Sequence, residues 1–176
     1  MKNILVDLDG CVAQYDFPKL IKKYFGVAVQ PMDIWCYSIA DSLGLPSGEV
    51  HQMFEVESQE EPNFIEGAVE TLEKLLVRDY KVLIYSTRTS IMGRYNLDTW
   101  LRKWNIPFST IITDYTLPLL IEAYIDDWPA KLLHVDSMVE VGKLILFVQP
   151  WNFRCHDLLN KFTWVDEWSQ IWEELI

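Results

Sequence analysis

Short apolar runs recur along the chain, and most of them stop at polar residues. Residues 4–6 (ILV) lead into Asp7, Asp9 and Gly10, and residues 81–85 (KVLIY) into Ser86, Thr87 and Arg88. Residues 109–113 form a third run, residues 123–125 a fourth that ends at Asp126 and Asp127, and residues 144–148 a fifth. Continuous runs without alternation suit strands of a parallel sheet covered on both faces. Between them, apolar positions repeat at helical spacing. Val69, Leu72, Leu75 and Leu76 do so with charge on the opposite face, and Leu97, Trp100, Leu101 and Trp104 do so before Pro107 ends the pattern. Residues 165–175 place Trp168, Ile171, Trp172 and Leu175 on one face, a C-terminal helix docked on the sheet. Strands alternating with helices predict an α/β fold built on a doubly wound parallel sheet.

Residues 15–66 break that rhythm. Segments 17–25, 32–43 and 47–54 read as helices, and no convincing strand lies among them. This predicts a core domain of residues 1–14 and 67–176, with a small helical cap subdomain of residues 15–66 inserted after the first strand. The acidic border of Glu55, Glu57, Glu60 and Glu61 before Pro62 reads as a solvated loop.

The 176 residues are half hydrophobic and 14% aromatic, ample for a packed core. Fifteen basic against 26 acidic residues give a formal net charge of −11, which argues against a nucleic-acid polymer as partner. A local basic strip of Lys19, Lys22 and Lys23 is the exception. Cys11, Cys36 and Cys155 form no CxxC pair, and an odd count suits a reducing compartment. The N-terminus meets an aspartate too early for a signal peptide, and no apolar run is long enough to span a membrane. The expectation is a cytoplasmic protein with no membrane partner, and the sequence is compatible with a homodimer.

In a parallel α/β sheet, ligands bind beyond the carboxyl ends of the strands. Asp7, Asp9, Asp126 and Asp127 all fall at such ends, as do Ser86, Thr87 and Arg88. Four converging carboxylates repel one another, and a hard divalent cation relieves the conflict.

These residues resemble a known family. Asp7-Leu8-Asp9-Gly10-Cys11-Val12 is similar to the first motif of haloacid dehalogenase-like (HAD) phosphohydrolases, Ser86 to their second, and Ile125-Asp126-Asp127 to their fourth. Within that superfamily, the cap after the first motif and the YIDD form of the fourth resemble the 5′(3′)-deoxyribonucleotidases. So do the LILF strand leading to Asn152, Arg154 and His156, and the closing residues 164–168.

The resemblance implies a magnesium-dependent phosphatase acting on a small phosphate monoester, a nucleoside monophosphate above all. Asp7 would be the nucleophile that forms a phospho-aspartate, and Asp9 the general acid and then base. Negative charge near Asp9 would help it hold its proton. Mg²⁺ would be held by Asp7, Asp126, Asp127 and the backbone carbonyl of Asp9. Ser86 would donate to the phosphate, helped by amides at the start of the following helix, with Thr87 and Arg88 as further donors and Gly10 allowing close approach. Tyr15, Phe17, Trp35 and Tyr37 could stack on a base or form the cap's own core.

One position departs from the pattern. These phosphatases carry a lysine before the fourth motif, but no Lys or Arg lies between Lys103 and Lys131, and Thr116 stands in the best-matching place. Lys131 and Arg88 are the candidate substitutes. Without a substitute, the alternative is a silent phosphate-ligand-binding protein. A phosphatase for a non-nucleotide substrate is the other.

Overall fold

The computed structural model describes residues 2–153 and 160–176. Arg154, Cys155 and His156 lie outside the described residues.

Strand β1 (Lys2–Val6) opens the chain and is followed by a two-residue strand, β2 (Ala13–Gln14). Helices α1 (Phe17–Phe25), α2 (Ile39–Leu43) and α3 (Ser47–Glu57) come next, and β3 (Asn63–Phe64) returns antiparallel to β2. The remainder alternates: α4 (Ala68–Val77), β4 (Tyr80–Ile84), α5 (Arg88–Met92), α6 (Arg94–Lys103), β5 (Thr110–Ile111), β6 (Leu120–Asp126), α7 (Pro129–Met138), β7 (Glu140–Phe147), β8 (Thr163–Val165) and α8 (Trp168–Leu175).

Six strands form one parallel sheet in the order β5-β4-β1-β6-β7-β8. This is the doubly wound α/β fold that the runs predict. The chain builds outward from β1 on one side through β4 and β5, then crosses to build the other side through β6, β7 and β8. The order therefore switches beside β1, and the carboxyl ends of β1 and β6 flank the switch. Val6 pairs in register with Ile84 on one side and Ile125 on the other, so Asp7 and Asp126 emerge at the same rim.

The strands are apolar throughout because both faces are covered. Ile4, Val6, Val82, Ile84, Ala123 and Ile125 face one layer, packed against α4, α6 and α8. Leu5, Leu83, Tyr124 and Leu146 face the other, against Leu132 and Val135 of α7. The helices of residues 17–57 have a separate cluster built on Leu20, Ile21, Ile34, Ile39, Val50 and Met53.

Several elements differ from the sequence reading. The expected helix of residues 32–43 is split into a 3-10 turn (Pro31–Asp33) and α2. Proline opens the turn, the Asp33 carboxylate accepts from the Gln30 amide, and Ser38 caps a new helix. Helix α3 runs on to Glu57, so Glu55 and Glu57 lie on its last turn; Glu57 is gripped by Lys23 and Tyr24. A strand, β3, does lie between residues 15 and 66. The run at 109–113 yields only two strand residues, and β6 and β7 each extend further toward their N-terminal ends than expected. Strand β8 was not expected: three residues ahead of a helix carry too little pattern to stand out. Among the described residues, no helix is long and apolar enough to cross a membrane.

Candidate functional site

Asp7, Asp126 and Asp127 come together at the rim, with a carboxylate oxygen from each within 4.8 Å of the others, and all three are buried. Burial pushes the Asp7 carboxyl up to about 7; Lys131 opposes this, while Asp126 and Asp9 add to it. Burial and the neighbouring Asp126 and Asp7 hold Asp127 well above the ordinary carboxylate range.

The cation among them is Lys131. Its Nζ lies 2.8 Å from Asp7 Oδ1 and 3.2 Å from Asp126 Oδ2, and donates to the Tyr85 carbonyl at 3.0 Å. Pro129 starts α7 one residue after the two aspartates, with Trp128 between, so Lys131 occupies the first turn. Side chains on a helix lean toward its N-terminus, which carries the ammonium back over the ends of β1 and β6. Burial alone would depress its pKa, but Asp126 and Asp7 outweigh that and raise it. Thr116 is elsewhere: it is exposed, and its hydroxyl bonds Thr113.

The two adjacent aspartates have different partners. Asp126 Oδ1 accepts from the Trp128 amide at 2.8 Å, and Oδ2 accepts from the Tyr124 hydroxyl. Asp127 Oδ2 accepts from the Trp151 indole at 2.7 Å, and its Oδ1 is buried with no hydrogen-bond partner among the described residues. A buried, orphaned carboxylate oxygen beside two further carboxylates fits a divalent cation, since such an atom otherwise pays an uncompensated desolvation cost. Asn152 donates to the Asp127 and Phe147 carbonyls and fixes the loop from below.

Gly10 has φ +83°, and a Cβ there would stand 2.2 Å from Asp127 Oδ2. Glycine is thus required twice over, by backbone conformation and by the carboxylate pressed against it. Its carbonyl accepts from Gln149.

Asp9 lies near enough to Asp7 for their charges to interact, and Arg88 also grips it, with Nε 3.1 and 3.0 Å from its two oxygens and Nη2 2.7 Å from Oδ1. Arg88 also donates to the Ser58 carbonyl and the Tyr15 hydroxyl. The guanidinium thus bonds Asp9, Ser58 and Tyr15, and Arg88 also lines the cavity over the site. Ser86 is buried at the end of β4, its Oγ accepting from the Arg88 amide at 3.2 Å, while Thr87 reaches the cavity wall. The helix that follows them, α5, has only five residues, so little dipole backs Ser86.

A cavity of about 270 Å³ opens over Asp9, Gly10 and Asp127. Its walls are aromatic: Tyr15, Phe17, Tyr37, Phe54, Trp128 and Trp151 line it. Tyr15 and Phe17 also pack against the cluster of Leu20, Ile21 and Met53. Tyr37 stacks on Trp128 with centroids 4.2 Å apart and planes 6° from parallel. Trp35 is outside the wall, 48% exposed, its indole donating to the Ser42 carbonyl. Sequence reasoning missed Trp128, Trp151 and Phe54. Trp128 had a local signal in its place directly after Asp127; the other two reach the cavity only through the tertiary fold.

No known family profile and no curated protein sequence matches the chain. Solved structures do match it, and the likeness is one of fold. A phosphoserine phosphohydrolase-like protein from Francisella tularensis superposes with a TM-score of 0.61 at 12% identity, covering 100% of both chains. A HAD-superfamily hydrolase from Ehrlichia chaffeensis gives 0.55 at 12% identity, covering 99% of this chain and 97% of its own. A phospho-aspartyl intermediate analogue of phosphoserine phosphatase gives 0.52 at 15% identity, covering 100% and 99%.

Proposed function

We propose that the chain is a magnesium-dependent phosphatase that hydrolyses the monoester of a nucleoside monophosphate through a phospho-aspartate on Asp7. The observation that carries this reading is the convergence of Asp7, Asp126 and Asp127 within 4.8 Å, with Lys131 Nζ 2.8 Å from Asp7. Acidic groups from distant parts of the chain meet at the switch point of the sheet, with a buried ammonium already against the candidate nucleophile.

Asp7, Asp126 and Asp127 would hold the cation, Asp127 through its orphaned Oδ1. When bound, a divalent ion neutralises charge on the nucleophile and the phosphoryl group. Lys131 orients Asp7 and adds positive charge where the transferring group's oxygens gather. Asp7 attacks phosphorus while Asp9 protonates the departing alcohol oxygen; Asp9 then takes a proton from the water that cleaves the phospho-aspartate. Ser86 and Thr87 border the phosphate position, and the glycine at 10 lets the backbone approach it. The aromatic walls suit a flat, weakly polar base, with the Tyr37–Trp128 pair offering a stacking face. The contact of Lys131 with Asp7 supports a hydrolase over a silent binding protein, since a cation stands at the nucleophile although Thr116 holds the place of the usual lysine.

The test is phosphate release from a panel of nucleoside monophosphates and sugar phosphates with MgCl₂. Turnover of nucleotides is expected, and Asp7→Asn should lower it by roughly 10⁴-fold or more. Wild-type protein that releases no more phosphate than Asp7→Asn across the panel overturns the reading. Preference for sugar phosphates would keep the chemistry and overturn the substrate.

A further inference from the structure

We propose that Tyr37 is a further catalytic residue, whose hydroxyl donates a hydrogen bond to an oxygen of the transferring phosphoryl group. This rests on the hydrolase reading above, which uses only the ring of Tyr37, and adds its hydroxyl to the chemistry.

A phosphoryl group in transit carries charge on three equatorial oxygens and needs donors for them. The cations at the site among the described residues, Lys131 and Arg88, have few N–H groups to spare. Lys131 Nζ has three, and three acceptors surround it: Asp7 Oδ1 at 2.8 Å, the Tyr85 carbonyl at 3.0 Å and Asp126 Oδ2 at 3.2 Å. Arg88 turns Nε to Asp9, Nη2 to Asp9 and Tyr15, and Nη1 to the Ser58 carbonyl. Both supply positive charge, but hydroxyls are left to supply hydrogen bonds. Ser86 is one. Among the tyrosines nearby, Tyr85 donates to Asp114, Tyr124 donates to Asp126, and Tyr15 accepts from Arg88. Tyr37 differs: its hydroxyl has no hydrogen-bond partner among the described residues.

The position of that hydroxyl is what the reaction needs. Tyr37 lines the cavity together with Asp9, Gly10 and Asp127. Burial pushes its pKa up, and the charges of Asp7 and Asp127 add to this, with Asp7 the stronger of the two. The hydroxyl therefore lies within the field of the nucleophile yet bonds none of the carboxylates, a spacing that leaves room for a phosphoryl group between. Even an ordinary phenol keeps its proton at neutral pH, so the group is a donor. The side chain as a whole is 42% exposed, so water can satisfy the hydroxyl until a phosphoryl oxygen displaces it.

The ring is held from two sides. It stacks on Trp128 with centroids 4.2 Å apart and planes 6° from parallel, and the Trp128 amide is itself tied to Asp126 Oδ1 at 2.8 Å. The loop that carries it, ahead of α2, is pinned by Ser42, whose carbonyl accepts from the Trp35 indole at 3.3 Å and whose Oγ accepts from the Cys36 amide at 3.2 Å. A donor fixed in advance stabilises developing charge without reorganising. The hydroxyl keeps its proton throughout and forms no covalent bond in either half-reaction.

Tyr37→Phe removes one oxygen and keeps the stacked ring. Turnover of 4-nitrophenyl phosphate and of a nucleoside 5′-monophosphate is measured with MgCl₂ for the wild type and the variant. Inhibition by orthovanadate, which adopts the five-coordinate geometry of phosphorus in transit, is measured beside it. Because both esters share the phosphoryl group, kcat/KM should fall by about 10–10²-fold on both alike, the range for a hydrogen bond to a charged group. The inhibition constant of vanadate should rise by a similar factor. The rise in melting midpoint that vanadate produces should shrink in the variant, a readout that needs no turnover. A loss confined to the nucleotide would place the hydroxyl on the base or sugar, and a loss of turnover with unchanged vanadate affinity would make its role structural. Either result overturns the proposal, as does unchanged turnover of both esters. A wild type inactive on both overturns the hydrolase reading instead.

Discussion

Three carboxylates packed within 4.8 Å at a buried rim repel one another strongly, and Lys131 is the protein's own answer to that repulsion. Replacing it with methionine keeps the stem but removes the charge beside Asp7. With MgCl₂ present, Lys131→Met should lower kcat about 10²–10³-fold, the scale of losing one preorganised donor to a developing anion. Steady-state kinetics on the preferred nucleotide checks this, and a change under tenfold would remove Lys131 from the machinery. At this scale the acidic positions were readable, because an aspartate that halts an apolar run lands at a strand end. The partnership of Arg88 with Asp9 was not. It depends on β4 lying beside β1, which brings together residues far apart along the chain. The lone oxygen of Asp127 was equally hidden, since it shows only once Trp151 has taken the other oxygen.

Helix α1 shows how an element reaches the site. Asp16 precedes it and accepts from the Lys19 amide at 3.1 Å, and Gly26 ends it in the left-handed conformation. Between these caps, Phe17 is delivered to the cavity wall and Leu20 and Ile21 to the cap cluster. Asp16→Ala should cost about 1 kcal/mol, read as a lower midpoint in urea denaturation. No shift would mean that the cap helix draws nothing from its first turn. Amphipathic spacing made α4 and α6 legible in the sequence, and residues 17–25 also read as helical. Where two local signals compete the reading failed: Asp33 and Ser38 each bond backbone amides, and together they divide a stretch whose apolar spacing alone suggested one helix. The antiparallel pair of β2 and β3 was invisible for another reason, as two residues apiece hold no period.

For the molecule as a whole, the site sets how stability depends on pH. Asp7 has its pKa raised to about 7, above the ordinary value of about 3.9 for an unfolded chain. The folded form holds that proton more tightly than the unfolded one. Its contribution is therefore fully present below about pH 4 and declines as pH rises toward 7. Metal-free protein should melt lower at pH 7.5 than at pH 5.5 by an amount that Asp7→Asn reduces. Adding MgCl₂ should raise the wild-type midpoint more at pH 7.5 than at pH 5.5, because the cation competes with the proton for the same oxygens. Thermal melts of both proteins decide it, and an identical pH slope in the two overturns the assignment.

The adjacency of β1 and β6 has a consequence for biosynthesis. The strand that leads into Asp7 leaves the ribosome well before its neighbour β6, which carries Asp126. Until then, the nascent polypeptide has neither the second side of its sheet nor the ammonium of Lys131. Contacts so distant along the chain form slowly, so the cluster of Asp7, Asp126 and Lys131 should assemble only after the pairing of β1 with β4 is possible. A chain cut short before residue 126 lacks the cluster of three carboxylates altogether.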